Sequence, residues 1–152
     1  MLDSGPLGLV TNPKNSVETF ECNRWLRLLL ADGTSVLVPE IADYEVRREL
    51  LRGDKTAGIK RLDALKITIG YVPITTATML RAAEFWAQVR KLGRPTADNK
   101  ALDGDVILAA QAALLAEQGD EVIVATTNVD HLWRGSSMPG SGEGSYNRVG
   151  DE

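Results

Sequence analysis

The stretch from Ala101 to Leu132, ALDGDVILAAQAALLAEQGDEVIVATTNVDHL, constrains the fold more than any other part of the chain. It reads as a helix, a stop at Gly119, a short strand over Val122 to Ala125, and a polar turn, Thr126-Thr127-Asn128-Val129-Asp130. The helix is apolar on almost every side, which predicts burial rather than a surface position. The strand is short and β-branched, and the polar turn follows its C-terminal end, where open α/β sheets place their ligands. Asp103 and Asp105 open the helix. One reading makes Asp103 the N-cap and Asp105 a complement to the helix dipole. The other notes that capping needs only one aspartate, which leaves Asp105 for a ligand. Below Asp105, at helical spacing, Ala109, Ala112 and Ala116 form a stripe of small residues that permits close approach of another element.

The rest of the chain alternates in the same way. Met1 and Leu2 are all that remains of a strand before Asp3, and Ser4-Gly5-Pro6 reads as a turn. Ser16 caps a helix from Val17 to Ala31 whose apolar face is Phe20, Trp25, Leu28 and Leu29. Val36 to Val38 is a short strand closed by Pro39. Helices follow over Glu40 to Arg52 and Thr56 to Leu65, then a strand over Gly70 to Pro73. Thr75-Thr76 caps a helix through Lys91, with Met79, Ala82, Ala83, Trp86 and Val89 inward. Strands that alternate with helices predict a parallel sheet covered on both faces. On the helix from Glu40, the stripe Glu45, Arg48, Glu49 and Arg52 has the spacing of one face. It is either a solvated face with Glu–Arg pairs worth roughly 0.2–0.5 kcal/mol each, or a face turned toward a site. Residues 135–152 are rich in Gly and Ser and poor in apolar residues, and they read as a disordered tail behind a domain over 1–134.

Composition narrows the chemistry. A chain of 152 residues is one domain, and 43% hydrophobic residues suffice for a core. The net charge of −4 excludes a global basic field, so any contact with nucleic acid has to come from a local basic patch. The single cysteine, Cys22, excludes an internal disulfide framework and suits a reducing, cytoplasmic setting. Neither a leader peptide nor an apolar run of membrane-spanning length is evident. With one histidine, His131, a Ser-His-Asp triad or a multi-histidine zinc site is hard to build. Any catalysis falls to carboxylates. Asp3, Asp103, Asp105 and Asp130 all follow strand ends or open a helix, at one edge of the expected sheet, and Glu45 can join them. An all-oxygen cluster suits Mg²⁺ or Mn²⁺. Without a cation the carboxylates repel one another; with one, the site can activate water against a phosphodiester.

Four segments, LDSGPLG, VPEIADYEVRREL, LDGDVILAAQA and VIVATTNVDHL, run in order from residue 2 to residue 132. Together they resemble the PIN-domain family, which includes the VapC-type toxins and related ribonucleases. The resemblance implies a three-layer α/β sandwich with a parallel sheet of about four strands flanked by helices. It implies a metal-dependent endoribonuclease, in the toxin case paired with an antitoxin protein, and a homodimer as candidate assembly. Carried over by position, Asp3, Glu45, Asp105 and Asp130 are the catalytic acids, with Asn128 the alternative to Asp130 at the fourth place. Asp3, Glu45 and Asp105 are the Mg²⁺ or Mn²⁺ ligands. Asp103, Thr127 and Asn128 support them, and Arg48, Arg52 and Arg94 become candidates for holding RNA phosphates. Arg47, Arg90 and Lys91 lie in the same two basic clusters. The chain departs from the family pattern where only two residues precede Asp3 and where the Gly/Ser tail replaces a further element. The competing readings are a related module that binds nucleic acid or protein without cutting and, last, a small nucleotide-binding protein, which lacks a Gly-rich phosphate loop.

Overall fold

A computed structural model describes residues 1–92, 99–127 and 146–148; of residues 99–101 and 146–148 it describes the backbone only. Six helices carry most of these residues: α1 (Ser4–Thr11), α2 (Val17–Ala31), α3 (Glu40–Arg52), α4 (Thr56–Thr68), α5 (Thr76–Lys91) and α6 (Asn99–Ala116). Four short strands complete the described chain: β1 (Val38–Pro39), β2 (Tyr71–Val72), β3 (Val124–Thr126) and β4 (Tyr146–Arg148).

The expected three-layer sandwich around a continuous parallel sheet of about four strands is corrected by this arrangement. The strands form two separate parallel pairs, β1 with β2 and β3 with β4. The segment near residue 2 contributes one isolated parallel bridge, Leu2 to Ala125, instead of a strand. Local chemistry explains why extension stops so soon. Asp3 turns at once into a helix cap. Pro39 has no N–H to continue a ladder, and α3 begins at the next residue. Gly70, at φ +122°, and Pro73 bracket β2. Residues 1–3 nevertheless run between the two pairs. Leu2 N donates to Leu37 O at 3.0 Å, Ala125 N to Met1 O at 2.9 Å, and Asp3 N to Ala125 O at 2.9 Å. β4 falls in the Gly/Ser-rich segment, with Tyr146 in register with Val124.

α1 replaces the expected turn. Its Gly5 and Gly8 each weaken a helix by about 1 kcal/mol relative to alanine. Three features offset this. Asp3 caps the helix through Oδ1, which accepts from Ser4 N at 2.7 Å. Pro6 sits in the first turn, where no N–H is needed. Leu7 and Val10 are buried in the main core with Leu2, Cys22, Leu26, Val38, Val46 and Leu62. α2 is capped by Ser16 as its sequence predicts, with Thr19 N donating to Ser16 Oγ at 3.1 Å. Its inner face is Thr19, Cys22 and Leu26, however, and Phe20 and Leu28 are exposed. Trp25 and Leu29 are partly buried against the same core, so the packed side lies between them and Thr19, Cys22 and Leu26.

α5 and α6 pair through small residues, with Ala82 and Ala110 in one cluster with Leu102 and Val106. Met79 and Trp86, expected inside, are exposed. α6 starts at Asn99, so Asp103 lies inside the helix and is not its N-cap. Ile41, Leu108 and Val124 form a third cluster that ties α6 to α3 and β3. Among the described residues no helix is long and apolar enough to cross a membrane.

Candidate acidic site at the start of α1

Asp3 is fixed from two sides. Its Oδ1 accepts from Ser4 N, and its Oδ2 accepts from Thr126 Oγ1 at 2.7 Å. Thr126 is the last residue of β3 and is buried. The carboxylate therefore sits where α1 begins and β3 ends, and its rotamer is set by the backbone of one and the side chain of the other.

Glu45 reaches the same place from the second turn of α3. It is half-buried, and the Ser4 side chain lies close enough to oppose the rise in its proton affinity. Its proton affinity is raised, first by burial and then by the negative charge of Asp3; the Ser4 hydrogen bond and the Arg48 cation oppose the rise. Ser4 thus lies between the acids, with its backbone N–H bound to Asp3 and its side chain on the Glu45 side.

The third wall is α6. Gly104 presents bare backbone to Glu45, and a Cβ at that position would collide with Glu45 Oε1. Asp103 and Asp105 flank Gly104 on the same turn and are both exposed. The Thr127 side chain lies against Gly5, where a Cβ would meet its Oγ1. Of the expected site, then, the structure joins Asp3 to Glu45, sets Asp105 beside the residue that touches Glu45, and brings Thr127 onto α1. Asn128, Asp130, His131 and Arg94 lie outside the described residues. Among the described residues no three His, Cys, Asp or Glu side chains stand close enough to hold a metal ion together, so the expected Asp3, Glu45 and Asp105 ligand set is not assembled as a triad.

The basic residues divide. Arg48 is exposed, with its guanidinium carbon 5.3 Å from the centre of the Tyr44 ring. Arg52 pairs with Glu49 within α3, Nη2 to Oε2 at 2.7 Å, which is the solvated-face reading of that stripe. Arg47 is committed elsewhere, to Asp43 at 3.0 Å and Asp63 at 2.6 Å.

Sequence reasoning missed Ser4, Gly104, Thr126 and Asp43. Ser4 directly after a capping aspartate, and an Asp43–Arg47 pair at i, i+4, were signals available in the chain. No signal marked Gly104, because its role depends on a partner from another helix.

Two outcomes follow from this geometry. The raised affinity of Glu45 means that the folded state holds its proton more tightly than the unfolded chain does. The stability this contributes is fully present below the unfolded pKa and is lost as pH rises through the folded one. Glu45→Gln is therefore expected to raise the unfolding midpoint at pH 7 and to flatten its dependence above the usual carboxylate range. A variant less stable than wild type at pH 7 would contradict this.

Gly104→Ala separates site from fold. Alanine favours a helix interior by about 1 kcal/mol over glycine. The atom it meets is the far end of a flexible side chain, so Glu45 swings away and the helix stays. The unfolding midpoint is expected to hold or rise while the Glu45 titration, followed by carboxyl NMR, moves toward the ordinary value. An unmoved titration would show that Glu45 does not rest on Gly104.

No protein-family model matches the chain, and neither the curated proteins nor the solved structures contain a match to it.

Proposed function

We propose that the Asp3–Glu45 pair, with Asp105 beside it, is the acidic site of a metal-dependent endoribonuclease that cleaves RNA phosphodiester bonds. One observation carries the reading: two carboxylates from separate elements meet at the start of α1, and the proton affinity of Glu45 is raised by burial first and then by the charge of Asp3. Like charges brought together in this way favour a cation between them. The donors are all oxygen, the kind that suits Mg²⁺ or Mn²⁺. Asp3 and Glu45 would hold the ion, with Asp105 as the further acid at hand; when bound, such an ion polarises a phosphodiester oxygen and lowers the pKa of its water.

The chain's own residues do the remaining work. Thr126 and the Ser4 backbone orient Asp3 so that its carboxylate meets the reacting group without a rotamer search. Burial raises the proton affinity of Glu45, so a bound cation would relieve the cost of its charge. Arg48 is exposed, and its charge would attract a phosphate. The resemblance of the four acidic segments to PIN-domain ribonucleases supports the same substrate and extends the proposal to a toxin with an antitoxin partner.

One observation favours a second reading, a module that binds nucleic acid without cutting it: the missing three-acid metal group among the described residues. A cleavage assay separates the two. Purified protein is incubated with unstructured and structured RNAs in Mg²⁺, in Mn²⁺ and in EDTA. Cleavage of the single-stranded RNA that stops in EDTA is expected. RNA binding without cleavage in either metal would favour the binding module, and cleavage that persists in EDTA would place the activity elsewhere.

A further inference from the structure

Tyr44 precedes Glu45 in α3 and is a large aromatic side chain left in solvent, 57% exposed. Arg48, one turn on, sits over its ring. Arg48 also follows Glu45 by three residues in α3, the spacing of neighbours on one helix face. The three side chains therefore form one contiguous strip that runs from an exposed ring, through a cation, to the acid pair. Among the described residues Tyr44 lies outside the buried face of α3, which is Ile41, Ala42, Asp43 and Val46.

We infer that Tyr44 and Arg48 form a stacking subsite for an unpaired nucleotide of single-stranded RNA, with the base on the Tyr44 ring and its phosphate on Arg48. This rests on the ribonuclease reading for what lies beside the subsite, though the binding itself can be tested without cleavage. Every base has a π-face, so an exposed ring accepts any unpaired base, and such a stack weakens by about 1–3 kcal/mol when the ring is removed. A duplex hides those faces, and recognition of this kind selects loops and ends. Charge decides the placement. The chain is acidic overall, and Asp103 and Asp105 are exposed nearby, so a phosphate is repelled from most of this surface. Among the described residues Arg48 is a cation adjoining both the ring and the acid pair. A guanidinium over a tyrosine face keeps its outward N–H groups for a phosphate while the stacking fixes its plane.

The test is metal-free binding, in EDTA, of a short fluorescent oligoribonucleotide without secondary structure, followed by anisotropy. Wild type is expected to bind the single strand and to bind the same RNA annealed to its complement less well. Tyr44→Leu is expected to weaken single-strand binding about 30-fold, the middle of the stacking range. Tyr44→Phe and Tyr44→Trp keep a ring and are expected to stay within about twofold of wild type. Arg48→Gln is expected to reduce the slope of log K against log salt by about 0.7, one phosphate's share on a single strand. Equal binding by Tyr44→Leu and wild type, or no binding by wild type, overturns the subsite. Binding that depends on Tyr44 in a protein that never cleaves RNA keeps the subsite and overturns only the nuclease.

Discussion

Asp3→Asn is expected to reduce RNA cleavage by more than about 100-fold and to leave the fold intact. The bound comes from what surrounds a metal: removing a group that only orients a ligand lowers affinity or activity by about 10–100-fold. Asp3 is proposed as a ligand itself, so its loss exceeds that range. Thr126→Val, which removes the hydroxyl on Asp3 Oδ2, falls within it. The fold survives because asparagine caps a helix as well as aspartate does, and the acceptor for Ser4 N is retained. Asp105→Asn is expected to follow Asp3→Asn, and Asp103→Asn to be mild. Paired cleavage rates and unfolding midpoints check this. An Asp3→Asn protein that cleaves at the wild-type rate removes the acid pair from the mechanism.

The largest stability effect is expected away from the site, at Asp43. This aspartate is 5% exposed. Its Oδ1 accepts from Arg47 Nε at 3.0 Å, and its Oδ2 accepts from Lys66 Nζ at 2.6 Å and from Tyr71 Oη at 3.4 Å. The group joins α3, α4 and β2, and Lys66 also lies 4.3 Å from the centre of the Tyr71 ring. The Tyr71 phenol is driven well above its ordinary range by burial first, then by the charges of Glu40 and Asp43. Asp43→Ala strands two cations that were arranged around one anion. Breaking a buried pair from one side costs about 3–5 kcal/mol. The lower end applies, because the side chains of Lys66 and Arg47 are 25% and 29% exposed and Arg47 keeps Asp63. A loss of about 3 kcal/mol lowers the unfolding midpoint by roughly 10 °C in a domain of this size. The exposed Arg52–Glu49 pair sets the contrast: Arg52→Ala is expected to change stability by less than about 0.5 kcal/mol. Equal effects at Asp43 and Arg52 would mean that the network holds nothing together.

What the sequence made legible is the helical frame. Ser16, Thr75, Gly33, Gly53 and Gly119 punctuate the chain where caps and turns occur, because these residues act through their own backbone and nearest neighbours. What it hid depends on partners distant in sequence. α1 looks like a turn because Gly5, Pro6 and Gly8 oppose a helix locally, and only burial of Leu7 and Val10 overrides them. The sheet was overestimated because short β-branched runs show where backbone extends, not whether enough residues pair to build a ladder. Hydrophobicity alone puts Phe20, Leu28, Met79 and Trp86 inside, although no element covers them among the described residues. That Asp3 and Glu45 can meet is an expectation from their placement at a strand end and on a helix. The mechanical basis, Ser4 between the acids and Gly104 behind one of them, is not legible there, because a hydroxyl and a missing Cβ acquire meaning only once α1, α3 and α6 meet.

The central claim is that this pair of acids is built to share a divalent cation. The most direct measurement follows the Glu45 side-chain carboxyl by NMR while pH is varied, in wild type and Asp3→Asn, with and without Mg²⁺. The account predicts a midpoint above the ordinary carboxylate value in wild type without metal, a fall when Mg²⁺ is added, and a much smaller response to Mg²⁺ in Asp3→Asn. A Glu45 midpoint that ignores Mg²⁺ in the wild-type protein would contradict it.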